Sequence, residues 1–99
     1  MSDRLPPIPP GEILKEEFME PNGISSSRLA RDLDVPANRI SEIVAGRRTI
    51  TADTALRLGI YFGIEPEFWL NLQNDYDLRL ARAAAGEAIA QRIRPIQAA

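Results

Sequence analysis

The run Gly23-Ile24-Ser25-Ser26-Ser27-Arg28-Leu29-Ala30-Arg31-Asp32-Leu33-Asp34-Val35-Pro36-Ala37-Asn38-Arg39-Ile40-Ser41-Glu42-Ile43-Val44-Ala45-Gly46 holds two short helical patterns separated by one turn. Ser25 is placed to cap the free amides of a helix, and Ile24 and Leu29 occupy the two positions of a hydrophobic staple across that cap. Leu29, Ala30 and Leu33 then fall on one face. The turn Asp34-Val35-Pro36 interrupts the pattern, and Ile40, Ile43 and Val44 mark the buried stripe of a second short helix, with Gly46 at its C′ position. Two helices of about eight residues joined by so short a turn have the spacing of a helix-turn-helix, whose second helix enters the DNA major groove. The anchoring positions agree with it: Ala30 is small where the helices cross, Val35 sits in the turn, and Ile40 and Ile43 face the first helix.

Outward from this core, Ile13, Leu14 and Phe18 recur at helical spacing between Gly11 and Met19, and Pro21-Asn22-Gly23 stops that helix. Downstream, Thr51 caps a fourth helix with Ala55, Leu56, Leu58, Gly59 and Phe62 as its expected inner residues, ended by Gly63. Glu65-Pro66-Glu67 opens a fifth, in which Phe68, Trp69, Leu72 and Tyr76 continue on one face. That spacing assigns the aromatic block to core or dimer packing. No alternating strand pattern of useful length occurs, so the fold is expected to be all-α, five packed helices. Residues 1–10 form a proline-rich arm, 11–80 the helix-turn-helix domain, and 81–99 an Ala- and Arg-rich extension interrupted by Gly86 and Pro95, either a loosely docked helix or partly frayed. Leu72, Tyr76 and Leu80 exceed what so small a core needs, which points to the fifth helix and the tail for dimerisation.

Ninety-nine residues allow one domain. Apolar residues make up 44% and charged residues 26% of the chain, which excludes wholesale disorder. With neither Cys nor His, thiolate and imidazole metal sites and the usual imidazole base are absent, so no metal, cofactor or catalytic residue is expected. The opening residues lack the basic and apolar regions of a secretory signal, and no apolar run is long enough to cross a bilayer, so the expectation is a cytoplasmic protein without a membrane partner. A net charge of −2 argues at first against nucleic acid. Its distribution reverses that argument: residues 1–23 carry −3, 24–51 carry +2, 52–78 carry −4 and 79–99 carry +3, which leaves the helix-turn-helix locally basic.

The blocks Gly23-Ile24-Ser25, Leu29-Ala30, Val35, Ile40-Ser41-Glu42-Ile43 and Gly46-Arg47-Arg48 resemble the Cro/cI-type (XRE) helix-turn-helix family. With Pro10-Gly11-Glu12-Ile13-Leu14, Thr51-Ala52-Asp53-Thr54-Ala55-Leu56-Arg57-Leu58, Phe68-Trp69-Leu70-Asn71-Leu72-Gln73 and Tyr76-Asp77-Leu78, the chain is similar to HigA antitoxins, also called VapI-like proteins. The resemblance spans roughly Pro9 to Leu80. It implies a homodimer that binds double-stranded operator DNA, represses its own operon and neutralises HigB, an mRNA-cleaving toxin. Two positions depart from the broader pattern. Asp34 replaces the usual turn Gly and tolerates a left-handed conformation, and Ser26 replaces the Gln often found at the start of the first motif helix.

With Ile40, Ile43 and Val44 inward, the base-reading candidates are Ala37, Asn38, Arg39, Ser41 and Glu42. Asn38 suits adenine, Glu42 a cytosine amino group, Ala37 a thymine methyl, and Arg39 guanine or a nearby phosphate. The phosphate candidates are Ser26 and Ser27, at a helix N-terminus, and Arg47, Arg48 and Thr49 after the reading helix. The alternatives are a stand-alone XRE repressor without a toxin partner, or a protein-interaction module that has lost DNA binding. An enzyme is not expected, because no nucleophile, base and orienting group assemble from the spacing.

Overall fold

The computed structural model describes residues 6–97; the first half of the expected N-terminal arm, residues 1–5, lies outside them. The described residues form helices and loops without a strand. None of the helices is long and apolar enough to cross a membrane. Helix α1 covers 10–19, α2 Ser26–Leu33, α3 Ala37–Val44, α4 Ala52–Phe62 and α5 66–92.

Helix α1 starts on Pro10, whose missing N–H matters little in a first turn, and widens to a π-helix over Leu14–Met19. The Glu20 N–H bonds the Lys15 carbonyl in that register, five residues back. Leu14 and Met19, also five apart, are both buried. The expected caps form: Ser25 Oγ accepts from the Arg28 N–H at 3.1 Å, and Thr51 Oγ1 accepts from the Thr54 N–H at 3.5 Å. Leu29, Leu33, Ile40, Ile43, Ala55 and Leu58 are buried as their spacing predicts, around a wholly buried Trp69.

Leu56 faces away from the core. Expected inside, it is 55% exposed. Ala55, Leu58, Gly59 and Phe62 already fill the stripe of α4 that faces the core, and a residue next to Ala55 is rotated about 100° away from it. Gly59 is needed there for proximity, since a Cβ at this position would lie 2.6 Å from the Ile64 carbonyl oxygen.

The fifth helix continues through Gly86, so the tail is an exposed helix rather than a frayed segment as far as Arg92. Pro66–Ala81 is regular, Arg82–Gly86 is π-helical, and Glu87–Arg92 completes the helix. Arg82 and Gly86 both keep right-handed helical angles, so the path is continuous through position 80. Its first half packs on the core through Trp69, Phe68 and Leu72. From Arg82 to Ile96 most residues are exposed.

Candidate nucleic-acid interface

The turn between α2 and α3 sets the aim of the second helix. Asp34 adopts φ 60° and ψ 49°, the left-handed conformation expected of it. Its N–H bonds the Arg31 carbonyl at 3.1 Å, and the Val35 N–H bonds the Ala30 carbonyl at 3.0 Å, which closes the end of α2. Arg57, reaching across from α4, donates through Nη1 to the carbonyls of Leu33 (2.8 Å) and Asp34 (3.2 Å). A cation at a helix C-terminus is favoured by the dipole as well as by these bonds. At the end of α3, Gly46 takes φ 79°, and the N–H groups of Gly46 and Arg47 bond the carbonyls of Ile43 and Glu42.

Of the base-reading candidates, Ala37, Asn38 and Ser41 form an exposed row on α3, and the Ser41 hydroxyl donates to the Asn38 carbonyl at 3.2 Å. Arg39 and Glu42 are half-buried and paired within the chain. Arg39 Nη1 lies 3.0 Å from Asp53 Oδ2, and Glu42 Oε1 receives both Nε and Nη2 of Arg48 at 2.8 Å. The phosphate candidates split into two sites. Ser26 and Ser27 stand in the first turn of α2, where the Ser25 cap takes the Arg28 amide and leaves their own at the helix end. Arg47, Arg48 and Thr49 are exposed on the loop after α3. That loop is pinned from below: the buried Ile50 N–H donates to Gln73 Oε1 at 2.8 Å, and Gln73 Nε2 donates to Asp77 Oδ1 at 2.9 Å.

Between the turn and the start of α4 lies an open cleft of about 350 Å³, lined among others by Arg39, Arg48, Thr49, Thr51, Asp53 and Arg57. Asp53 and Arg57 were expected only as part of the Thr51–Leu58 block, without a role in the interface. Their spacing of four on α4 was the available signal, because such a pair meets on a helix surface. Asp53 Oδ2 accepts from Arg57 Nε and from Arg39 Nη1, each at 3.0 Å, so one carboxylate joins the reading helix to the cap of α2. Gln73 was likewise read only as part of a motif, since nothing local marks a buried amide twenty-three residues from its partner.

The hydrogen bond from Arg57 and the charges of Arg57 and Arg39 hold the Asp53 carboxyl below its ordinary value of 3.8, against the opposing effect of partial desolvation. Asp32 is lowered chiefly by the Tyr61 hydroxyl, which donates to it at 2.7 Å, and the same bond raises Tyr61. A carboxylate lowered in the folded state stabilises fully above its unfolded value and loses that contribution as pH falls through the folded one. Asp53→Asn is therefore expected to lower the melting temperature at pH 6, and the gap to wild type should shrink as the pH falls below the ordinary carboxylate value of 3.8. Thermal melts above and below that value check this. A gap of equal size at both would remove the charge as its origin.

The helix-turn-helix family matches residues 15–69. The chain is 53% identical over 79 residues to virulence-associated protein I of Dichelobacter nodosus, covering 80% of this chain and 73% of that protein. It is 44% identical over 72 residues to antitoxin HigA-1 of Vibrio cholerae, covering 73% of this chain and 68% of that one. Among solved structures, the Pseudomonas aeruginosa antitoxin HigA with the higBA promoter superimposes with a TM-score of 0.88 at 47% identity, over 92% of this chain and 99% of that one.

Proposed function

Since the chain belongs to the helix-turn-helix family and, within it, to the HigA-type antitoxins, we propose that it is a dimeric, sequence-specific DNA-binding protein that represses its own operon and neutralises a HigB-type mRNA-cleaving toxin in the cytoplasm. The observation that carries the DNA half is the exposed row Ala37, Asn38 and Ser41 on α3, flanked by Arg39 and Glu42 and bordered by the start of α2 at Ser26 and Ser27 and by the exposed Arg47, Arg48 and Thr49. Ala37, Asn38, Arg39, Ser41 and Glu42 read base edges, whereas Ser26, Ser27, Arg47, Arg48 and Thr49 hold phosphates and fix register. The internal ion pairs refine these roles. Asp53 steadies Arg39 at the rim of the groove, and Arg48 orients Glu42 while keeping its own charge close to the backbone. Two copies set their reading helices about one DNA turn, ~34 Å, apart. The local basic charge makes binding salt-sensitive and confines it to one face. The toxin half rests on the family, and it makes the chain a regulator without catalysis of its own.

A gel-shift titration on DNA from upstream of its own operon, at fixed salt, tests the DNA reading. Asn38→Ala and Arg39→Ala are each expected to weaken binding by about 1–3 kcal/mol, roughly 5- to 150-fold. Wild-type affinity in both would remove them from the interface, and no shift with the wild-type chain would leave the interaction module standing. Co-expression with the neighbouring reading frame tests the toxin half: a small toxic product that co-purifies is expected, and its absence leaves a stand-alone repressor.

A further inference from the structure

Arg39 is the base-reading candidate whose charge is met from another helix: its Nη1 lies 3.0 Å from Asp53 Oδ2, in the first turn of α4. Among the described residues no other acceptor meets its guanidinium, so the Nε and Nη2 edge stays open. That edge is the one that matters for reading, because Nε–H and Nη2–H form a planar fork that fits the O6 and N7 acceptors of guanine. An arginine drawn to a phosphate instead fixes register and carries no sequence information. The carboxylate is itself held. Arg57 Nε lies 3.0 Å from Asp53 Oδ2, and Arg57 Nη1 donates to the Leu33 and Asp34 carbonyls at 2.8 and 3.2 Å. Asp53 therefore takes its position from the backbone at the end of α2 as well as from its own helix.

We propose that Asp53, with Arg57 behind it, is the positioning residue that makes Arg39 read guanine rather than settle on a phosphate, so that part of the sequence preference of α3 is set from α4. Electrostatics alone give Asp53 the wrong sign for a DNA-binding face. A carboxylate there repels phosphates of any sequence, and between Arg39 and Arg57 it leaves one net positive charge where two would attract DNA more strongly. What it supplies is direction. A side chain as long as that of arginine loses much rotamer freedom when it is fixed, and the pairing with Asp53 removes that freedom before DNA arrives. Unheld, Arg39 has room to turn into the open cleft of about 350 Å³ that it lines with Thr49 and Thr51.

The role of Asp53 rests on Arg39 lying at the DNA, as in the reading above, and one set of titrations separates the two. Operator DNA with each base pair replaced in turn, and a duplex of unrelated sequence, are titrated by gel shift with the full chain at fixed salt, well below every melting transition. The base pair at which Arg39→Ala no longer discriminates marks the Arg39 contact; wild-type binding by Arg39→Ala would remove Arg39 from the DNA and this proposal with it. At that pair alone, Asp53→Asn is expected to lose about fivefold or more of the discrimination. It should also bind the unrelated duplex more tightly than wild type does, since a negative charge has gone. Asp53→Ala, which cannot keep even an uncharged hydrogen bond to Arg39, should lose at least as much, and the exposed position of Asp53 lets both variants fold. In a chain that already carries Arg39→Ala, neither change should cost any discrimination. An equal loss of affinity on operator, altered operators and unrelated DNA would show a purely structural role and overturn the proposal. So would tighter operator binding with discrimination intact, because Asp53 would then be holding Arg39 away from the DNA.

Discussion

Gly11→Ala is expected to lower stability by about 3 kcal/mol and to reduce operator binding even at temperatures where the chain is still folded. Helix propensity alone predicts the opposite sign, since alanine is favoured over glycine inside a helix by about 1 kcal/mol. The contact decides against propensity. A Cβ at Gly11 would lie 1.8 Å from the Ile43 carbonyl oxygen, 2.6 Å from its carbon and 2.9 Å from Val44 Cα. These are backbone atoms at the end of α3, and they cannot swing aside as a side-chain tip does. Relief requires α1 and α3 to separate, which tilts the helix that carries Asn38 and Ser41. Denaturant melts give the stability change, and a gel shift well below the transition gives the change in binding. A stabilised variant, or one with wild-type affinity, would show that α1 does not brace the reading helix.

Such contacts mark the limit of what was legible in the sequence. The helix-turn-helix was readable because each of its signals is local: a serine cap, a staple, residues at helical spacing, and Asp34 and Gly46 where left-handed geometry ends a helix. The expected five helices and all-α class follow from the same signals. Periodicity misplaced Leu56, because apolar character does not say which of two neighbouring residues faces the core. Of the two readings of the tail, a loosely docked helix or a frayed one, the first holds, and Gly86 lies within the helix. The interface was legible as a list of residues but not as a network. Arg39 and Glu42 were read as free side chains, although Asp53 and Arg48 hold them. Those partners come from outside the motif helices, and chain separation carries no periodic signature. Composition was informative only after division by segment, when a net acidic chain resolved into a basic motif and a charge-polarised fifth helix.

Trp69→Ala is expected to be the most damaging single substitution, at about 3–5 kcal/mol, a large part of the 5–15 kcal/mol typical of a domain. The indole is wholly buried and packs on Phe18, with ring centroids 4.8 Å apart, and edge-on to Phe68 at 5.0 Å. Phe18 in turn meets Phe62 at 5.1 Å, so α1, α4 and α5 share one aromatic cluster. Yet Trp69 Nε1 is buried without a hydrogen-bond partner among the described residues. A buried donor left unpaired costs about 1–3 kcal/mol, so Trp69→Phe gives up ring volume but removes that penalty. We expect its net loss to stay below about 2 kcal/mol. The difference between the two variants in denaturant melts is the measurement. If Trp69→Phe proves as damaging as Trp69→Ala, the indole nitrogen has a partner after all, such as a trapped water. Binding should follow the same order, because Trp69 seats the segment of α5 from which Gln73 holds Ile50, and Ile50 fixes the loop that presents Arg47, Arg48 and Thr49. Trp69→Phe should therefore keep its operator affinity at a temperature where Trp69→Ala has lost both fold and DNA.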